Sequence, residues 1–544
     1  MQLIECVPNF SEGVDLAIIK QITDVIEEVD GVRLLNVDPG KATNRTVVTF
    51  VGEPQHVIDA AFLAIKKAGE LIDMSRHHGE HPRMGATDVC PLIPISNITL
   101  EETAEFAKAL GKRVGEELNI PVYLYEYAQA DKSRNNLSVI RAGEYEGFFK
   151  KIKLPEWKPD FGPAEMDAKR GATVIGARDF LVAYNVNLNT TSTRRANSIA
   201  FDVREAGRTV DGVKQPGLLK SVKAIGWYIE EYGIAQISMN LTNLNVTPLH
   251  IAFDEVCNRA QARGMRVTGS ELVGLVPLKT LVDAGKYFLH KQQRSVGVSE
   301  RELIRIAIKT MGLDELAPFK PEERIIEYLL KDKSSAKLVS MTLVDFADET
   351  ASESPAPGGG SIAAYAGVLG ASLAAMVANL SAHKKGWDDR WEEFSDWAAK
   401  GQQYKDELLK LVDQDTVAFN QIMEAFNLPK GSDEEKTNRT EAIQKATQNA
   451  MEVPFKVMQA AYASMEVIKA MAETGNPNSV SDAGVAALCA RAAVLGAFLN
   501  VRINASGCKD RAFADKMVGE GAELERLAMA LEGEVLGVVG GKIG

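Results

Sequence analysis

The chain has 544 residues, 45% hydrophobic and 25% charged, the balance of an ordinary globular protein and not of a disordered or fibrous one. At about 150 residues per folding unit, that length predicts roughly three or four compact bodies. The formal net charge of -12 argues against non-specific binding to nucleic acid or to anionic membranes, so an anionic ligand needs a local basic pocket.

In chain order, the opening MQLIECVPNFSEG has an acidic residue and no basic start or long apolar run, which argues against a secretory signal. Cys6, Cys90, Cys257, Cys489 and Cys508 show no CxxC spacing, so neither a zinc cluster nor a disulfide framework is predicted, and a reducing cytoplasm is the expected compartment. Short β-rich runs at LIECVPNF, RTVVTFVG, DVCPLIPI, VYLYEYA, FLVAYNVNL and AQISMNLT alternate with amphipathic stretches at 54–73, 99–118 and 248–264, the pattern of α/β layers. CVPNFSEG and YNVNLNTTS each place Asn at a strand end and Ser or Thr at an N-cap ahead of a helix, which predicts two related subdomains, 1–180 and 181–330. Residues 331–338 are polar enough for a linker. Over 339–544 β-like runs nearly vanish, and helical spacing runs through 390–427, 432–472, 480–500 and 510–535, which predicts an all-helical domain. Within it SIAAYAGVLGASLAAMVANL is long enough to span a membrane. It is mostly Ala, Gly and Ser, so a buried, closely packed helix is expected instead.

Residues 75–95, SRHHGEHPRMGATDVCPLIPI, crowd His77, His78 and His81 within five positions. His77, Glu80 and His81 satisfy H-x-x-E-H, the zinc-peptidase arrangement that needs both histidines on one face of a continuous helix. Gly79 and Pro82 interrupt such a helix and predict its end near His78. One histidine acting as general acid/base from a loop is the favoured reading; basic side chains that simply complement a helix C-terminus are the plainer one. Upstream, LLNVDPGKATNRTVVTFVG puts Asp38 at a strand end before a Pro-Gly turn, with Arg45 opening the next strand. A carboxylate beside an imidazole raises its pKa and fixes its tautomer, although an aspartate there also suits a turn cap.

MSRHHGEHPRMGATDVCPLIPI, NRTVVTFVG, RAGEYE, GATVIGARDFLVAYNVNL and GSELVGLVPLK together resemble glutamate formiminotransferase. PAPGGGSIAAYAGVLGASLAAMVANL and LVDQDTVAFN resemble formiminotetrahydrofolate cyclodeaminase, and the order is that of the bifunctional formiminotransferase-cyclodeaminase family across essentially the whole chain. The resemblance implies two ferredoxin-like α/β sandwich subdomains followed by an all-α helical bundle. It implies transfer of the formimino group of N-formimino-L-glutamate to N5 of tetrahydrofolate, then ring closure to 5,10-methenyltetrahydrofolate with release of ammonia. Tetrahydrofolate, with one or several glutamates, enters as co-substrate; no metal, redox cofactor, nucleic acid or membrane span is expected, and a homo-oligomer through both domains is.

Residue by residue, the resemblance places the transferase acid/base at His81 in G-E-H-P-R and its partner at Asp38. The folate-binding run falls on Gly162, Pro163, Ala164, Glu165, Met166, Asp167, Ala168, Lys169, Arg170 and Gly171. The cyclodeaminase acid/base falls on Asp415 in D-x-D-x-x-A-F, with Asp413 as competitor. Glutamate and the folate tail are carboxylates, so Arg45, Arg83 and Lys169 or Arg170 are candidate anchors, against the plain reading of solvated charges. Gly358, Gly359 and Gly360 break the chain before a helix near Ser361 and leave backbone N–H groups able to meet a ligand. Ala366, Gly370 and Ala374 recur at four-residue spacing, suited to close helix packing across a subunit interface. A non-catalytic folate-binding scaffold is the alternative function, opposed by the intact G-E-H-P-R and D-x-D-x-x-A-F.

Overall fold

The computed structural model describes residues 2–41, 43–79, 81–330 and 338–544, so Glu80 and all but Leu338 of the expected linker lie outside the described residues. β1 (Leu3–Cys6) and β2 (Asn9–Phe10) form one interrupted strand, followed by α1 (Leu16–Glu27), β3 (Val32–Gly40), β4 (Arg45–Gly52), α2 (Pro54–Leu71) and β5 (Thr87–Ser96). These strands pair antiparallel in the order β3, β4, β1 with β2, then β5, the split crossover of a ferredoxin-like unit. α3 (Leu100–Glu117), β6 (Val122–Glu126), α4 (Leu137–Arg141), α5 (Glu144–Lys151) and β7 (Thr173–Ala177) extend it, with β7 parallel to both β5 and β6. Phe10, Phe50, Tyr123 and Phe148 are among the bulky side chains that fill its core.

The second subdomain repeats the plan. β8 (Val182–Leu188), α6 (Thr193–Val203), a separate hairpin of β9 (Arg208–Val210) and β10 (Val213–Gln215), then β11 (Val222–Ile229), β12 (Ile234–Leu241), α7 (Leu249–Gln261) and β13 (Val267–Val273) follow one another. The antiparallel order β11, β12, β8, β13 matches that of the first unit, with β8 in the place of β1 and β2. The sequence echo therefore falls on the first strand of each unit. Its caps differ from expectation: Ser192 caps α6, whereas Asp15, beyond the expected Ser11, caps α1.

α8 (Leu278–Lys291), α9 (Glu300–Met311), α10 (Pro321–Arg324) and α11 (Ile326–Leu330) close this half. The chain packs as two compact units, one holding residues up to Leu281 together with those from Ile308, the other holding Val282–Ala307 together with the C-terminal helices. The stretch 282–307, grouped by sequence with 181–330, thus packs in the helical unit. Gly297 is the reason: a Cβ there would stand 2.3 Å from the Ala398 backbone, while its carbonyl accepts from Asn379 at 2.7 Å.

The helical unit contains α12 (Leu343–Thr350), α13 (Gly359–Ala382), α14 (Trp391–Asn427), α15 (Asp433–Thr474), α16 (Val480–Ala505) and α17 (Arg511–Ile543). α13 and Pro477–Ala505 are long and apolar enough to cross a membrane by length and composition, and 61% and 50% of their most apolar windows are buried within the protein. Small residues let α13 lie close to its neighbours. A Cβ on Gly370 would come 2.9 Å from the Ala486 carbonyl of α16, and Ala374 is fully buried. At Gly370 the expected small-residue seam is thus filled by a helix of the same chain.

Candidate active sites

The histidine cluster lies in coil. α2 ends at Leu71 and Met74–Arg76 makes a single 3-10 turn, so the helix stops earlier than His78 and His77 and His81 share no helix face. Buried His77 holds the loop down through Nε2, which donates to the Asn44 carbonyl at 2.8 Å, and Asn44 donates from Nδ2 to the His78 carbonyl at 2.9 Å. His78 is exposed. Among the described residues no three His, Cys, Asp or Glu side chains are grouped to hold a metal.

His81 is half-buried, with Nδ1 2.7 Å from the Pro82 carbonyl. A carbonyl only accepts, so Nδ1 carries the hydrogen and Nε2 keeps its lone pair, the tautomer of a general base. The side chains around it come from three elements. Asp88, on β5 and fully buried, accepts from Arg45 of β4 at 2.5 Å and from Arg141 of α4 at 2.7 Å. It also accepts from the Met84 N–H at 2.9 Å, and Arg45 donates to Asn9 at 3.0 Å. Burial pushes the Asp88 carboxyl up, but the two guanidinium charges outweigh it and hold it below its usual value. Burial first, then Arg45 and Arg141, push the His81 imidazole down to about 4, against a smaller upward pull from Asp88.

The carboxylate that the structure brings to His81 is thus Asp88. Asp38 sits on β3 opposite Val47, and its charge is felt by Tyr232 and Glu271 of the second subdomain. Arg45 lies in the His81 cluster, as an anchor must. Arg83 pairs with Glu146 at 2.6 Å and Glu144 at 3.2 Å, so its charge is already countered within the fold. Lys169 and Arg170 are likewise engaged, Lys169 with the Glu70 carbonyl at 2.7 Å and Arg170 with Asp167 at 2.6 Å and the Leu118 carbonyl at 2.7 Å. Gly162, Pro163, Ala164, Glu165, Ala168 and Lys169 are the exposed residues of the 162–171 run, while Met166 is buried and Gly171 packs against the Met84 carbonyl. Sequence reasoning missed Asp88 and Arg141, although a charge inside the apolar run TDVCPLIPI and the arginine opening RAGEYE were the available signals.

In the helical unit two distant motifs meet. Asp415, on α14, receives the Ser361 hydroxyl at 3.0 Å, and the Ser361 backbone N–H also donates to it. Gly360 explains the close fit: a Cβ would lie 2.1 Å from Asp415 Oδ1. Burial raises the Asp415 pKa, and the two Ser361 donors oppose that rise. Asn500 of α16 reaches the same helix start, with Nδ2 3.6 Å from a Cβ built on Gly359. Asp413 points elsewhere and accepts from the Val339 N–H at 3.4 Å.

Comparison with known proteins assigns the two halves of the chain to families. Residues 3–178 match the formiminotransferase domain, N-terminal subdomain, residues 183–331 the formiminotransferase domain, and residues 342–523 the formiminotransferase-cyclodeaminase family. The chain is 46% identical over 513 residues to formimidoyltransferase-cyclodeaminase of Gallus gallus, covering 94% of each protein. It is 44% identical over 310 residues to glutamate formimidoyltransferase of Thermoplasma acidophilum, covering 56% of this chain and 99% of that one. It is 38% identical over 202 residues to methenyltetrahydrofolate cyclohydrolase of Methylorubrum extorquens, covering 37% of this chain and 97% of that one. These matches define a two-part enzyme, a transferase joined to a cyclodeaminase. The chain belongs to the formimidoyltransferase-cyclodeaminase family.

Proposed function

We propose that the α/β unit transfers the formimino group of N-formimino-L-glutamate to N5 of tetrahydrofolate around His81, and that the helical unit closes the product at Asp415. N5 attacks the formimino carbon, and His81 Nε2 takes the proton from N5 as the tetrahedral intermediate forms. The imidazolium then returns that proton to the glutamate nitrogen, the carbon–nitrogen bond breaks and glutamate leaves. In the second reaction N10 attacks the same carbon, Asp415 carries the N10 proton to the departing nitrogen, and ammonia leaves with formation of 5,10-methenyltetrahydrofolate.

The observation that carries this reading is the His81 cluster: a neutral imidazole with a free Nε2 beside two guanidinium groups and one carboxylate. The excess cation suits a carboxylate of the glutamate substrate. Its arrival offsets the charges of Arg45 and Arg141 and moves the His81 pKa up toward neutrality, where a single group both takes and returns a proton well. Asp38, whose charge helps burial push the Glu271 carboxyl up, supplies negative charge that suits a cationic amidine. In the same reading the exposed part of the 162–171 run contacts folate through its backbone, tetrahydrofolate in mono- or polyglutamylated form is the co-substrate, and the enzyme is a cytoplasmic homo-oligomer whose 331–338 segment links two separately folded activities.

Mixing purified protein with N-formimino-L-glutamate and tetrahydrofolate should produce the methenyl chromophore with one glutamate released per turnover. A protein that binds both compounds without releasing glutamate would be a folate-binding scaffold, and the reading would fail.

A further inference from the structure

α5 reaches three parts of the His81 site. From its first turns Glu144 and Glu146 hold Arg83, the Tyr145 N–H donates to the Arg83 carbonyl at 2.8 Å, and the Tyr145 hydroxyl donates to the Ala168 carbonyl at 2.5 Å. From its last turn Lys151 Nζ donates to the carbonyls of Val139 at 2.9 Å, Ile140 at 2.6 Å and Ala142 at 3.0 Å. Those carbonyls bracket the end of α4, whose last residue is Arg141.

A helix of five residues is far too short to persist by itself, and its last carbonyls have no partner within the helix. An ammonium has three N–H donors, and here three carbonyls receive them. Its charge also opposes the negative end of the helix. The group stands 3.8 Å from the centre of the Trp157 ring, and burial lowers its pKa to about 8. A lysine serving only solubility does not accept that desolvation.

We infer that Lys151 is a positioning residue for recognition of the substrate carboxylate: it caps the end of α4 and thereby fixes Arg141 against Asp88 beside His81. The inference rests on the reading, proposed above, that Arg141 and Arg45 receive that carboxylate. Lys151 touches neither substrate nor the reacting atoms, so its removal should loosen one side of the anion site while the chemical step is kept.

The test is steady-state formimino transfer by the full chain, each substrate varied in turn. Lys151→Met should raise KM for N-formimino-L-glutamate about 3- to 10-fold, the size of a lost capping interaction. kcat should stay within about twofold and KM for tetrahydrofolate should be unchanged. Lys151→Arg, which keeps charge and several donors, should restore most of the affinity. Should Lys151→Met fold poorly, Lys151→Gln, with two donors and no charge, should give a smaller rise in the same KM. Unchanged KM values in folded variants would overturn the inference, as would a parallel loss of kcat and both affinities, which marks a merely structural lysine. Arg141→Ala separates the two claims. If it leaves KM for formiminoglutamate unchanged, the carboxylate reading itself fails; if it raises that KM and the Lys151 variants do not, only the positioning role fails.

Discussion

Burial acts on the two proposed acid/base groups through opposite shifts. Burial is the largest influence on both, pushing the His81 imidazole down and the Asp415 carboxyl up, so in each case it favours the neutral form. Their neighbours differ. His81 sits among full charges, Arg45, Arg141 and Asp88, whereas Asp415 meets the neutral hydroxyl and backbone N–H of Ser361 at a helix start. A site built from ions changes when a charged substrate arrives; a site built from dipoles is set by fit. That contrast suits a transferase that must recognise an amino-acid carboxylate and a cyclodeaminase whose reacting groups already lie in one molecule.

The strongest way to break the contrast is to remove each group. His81→Ala should cost about 10²- to 10⁴-fold in transferase kcat, and Asp415→Ala should cost cyclodeaminase a comparable factor, each leaving the other activity in place. A paired time course of glutamate release and methenyl absorbance checks both variants: Asp415→Ala should accumulate the 5-formimino intermediate while glutamate release continues. Equal loss of both signals in Asp415→Ala, or loss of ring closure by His81→Ala on added 5-formiminotetrahydrofolate, would mean one shared catalytic unit. Loss of ring closure in Asp413→Ala but not in Asp415→Ala would move the second site.

Next in size is Gly360→Ala. Its Cβ would fall 2.1 Å from Asp415 Oδ1, so either the carboxylate or the helix start must shift. Ring closure should fall about 10- to 100-fold, because a displacement near 1 Å at a reacting group is costly, with the transferase unaffected. Gly360→Ala with normal ring closure would show that the fit does not matter.

Arg141→Ala probes the ionic site. Losing a charge-assisted contact of about 1.5 to 3 kcal/mol should raise KM for formiminoglutamate by roughly 10- to 100-fold. It should also move the His81 titration. Removing a nearby cation favours imidazolium and raises its pKa, so the acid limb of kcat/KM for the free enzyme, expected near 4 in the parent, should move toward neutrality in the variant. An acid limb already near 6.5 in the parent would contradict the charged surroundings proposed for His81.

What could be read in the sequence follows the same division. The α/β and helical halves were legible because hydrophobic periodicity is local, and Leu343 onward is helical as expected. Asp415 and Gly358–Gly360 were legible as motifs, although their meeting was not, since only the packing of α13 on α14 joins them. Arg83 illustrates the limit. Its position in G-E-H-P-R marks it as functional, yet Glu144 and Glu146, far along the chain, decide that its charge is spent within the fold. Asp88 and Arg141 were hidden for the converse reason: their pairing crosses 53 residues of sequence and leaves no spacing signature. The packing of 282–307 with the helical unit was not legible because the Gly297 contacts are likewise non-local.

The smallest expected effect is the most direct measure of the dipolar site. Ser361 gives Asp415 two donors, and Ser361→Ala removes the hydroxyl while keeping the backbone N–H. A donor to the carboxylate favours its charged form, so its loss should raise the Asp415 pKa and move the acid limb of cyclodeaminase kcat/KM to higher pH. The magnitude is limited by hydrogen count. The Ser361 hydroxyl has one hydrogen, and besides Asp415 Oδ2 at 3.0 Å the Val412 carbonyl at 3.0 Å and the Thr416 hydroxyl at 3.4 Å can accept it, so Asp415 receives it only part of the time. The shift should therefore be below about one pH unit, with a few-fold loss of ring closure on the acid limb of the profile and little change on its plateau. A pH profile of methenyl formation decides it. An upward shift means the donors balance burial at Asp415; an unmoved limb means burial alone sets the group, and a downward shift would contradict the assignment of Ser361 as its donor.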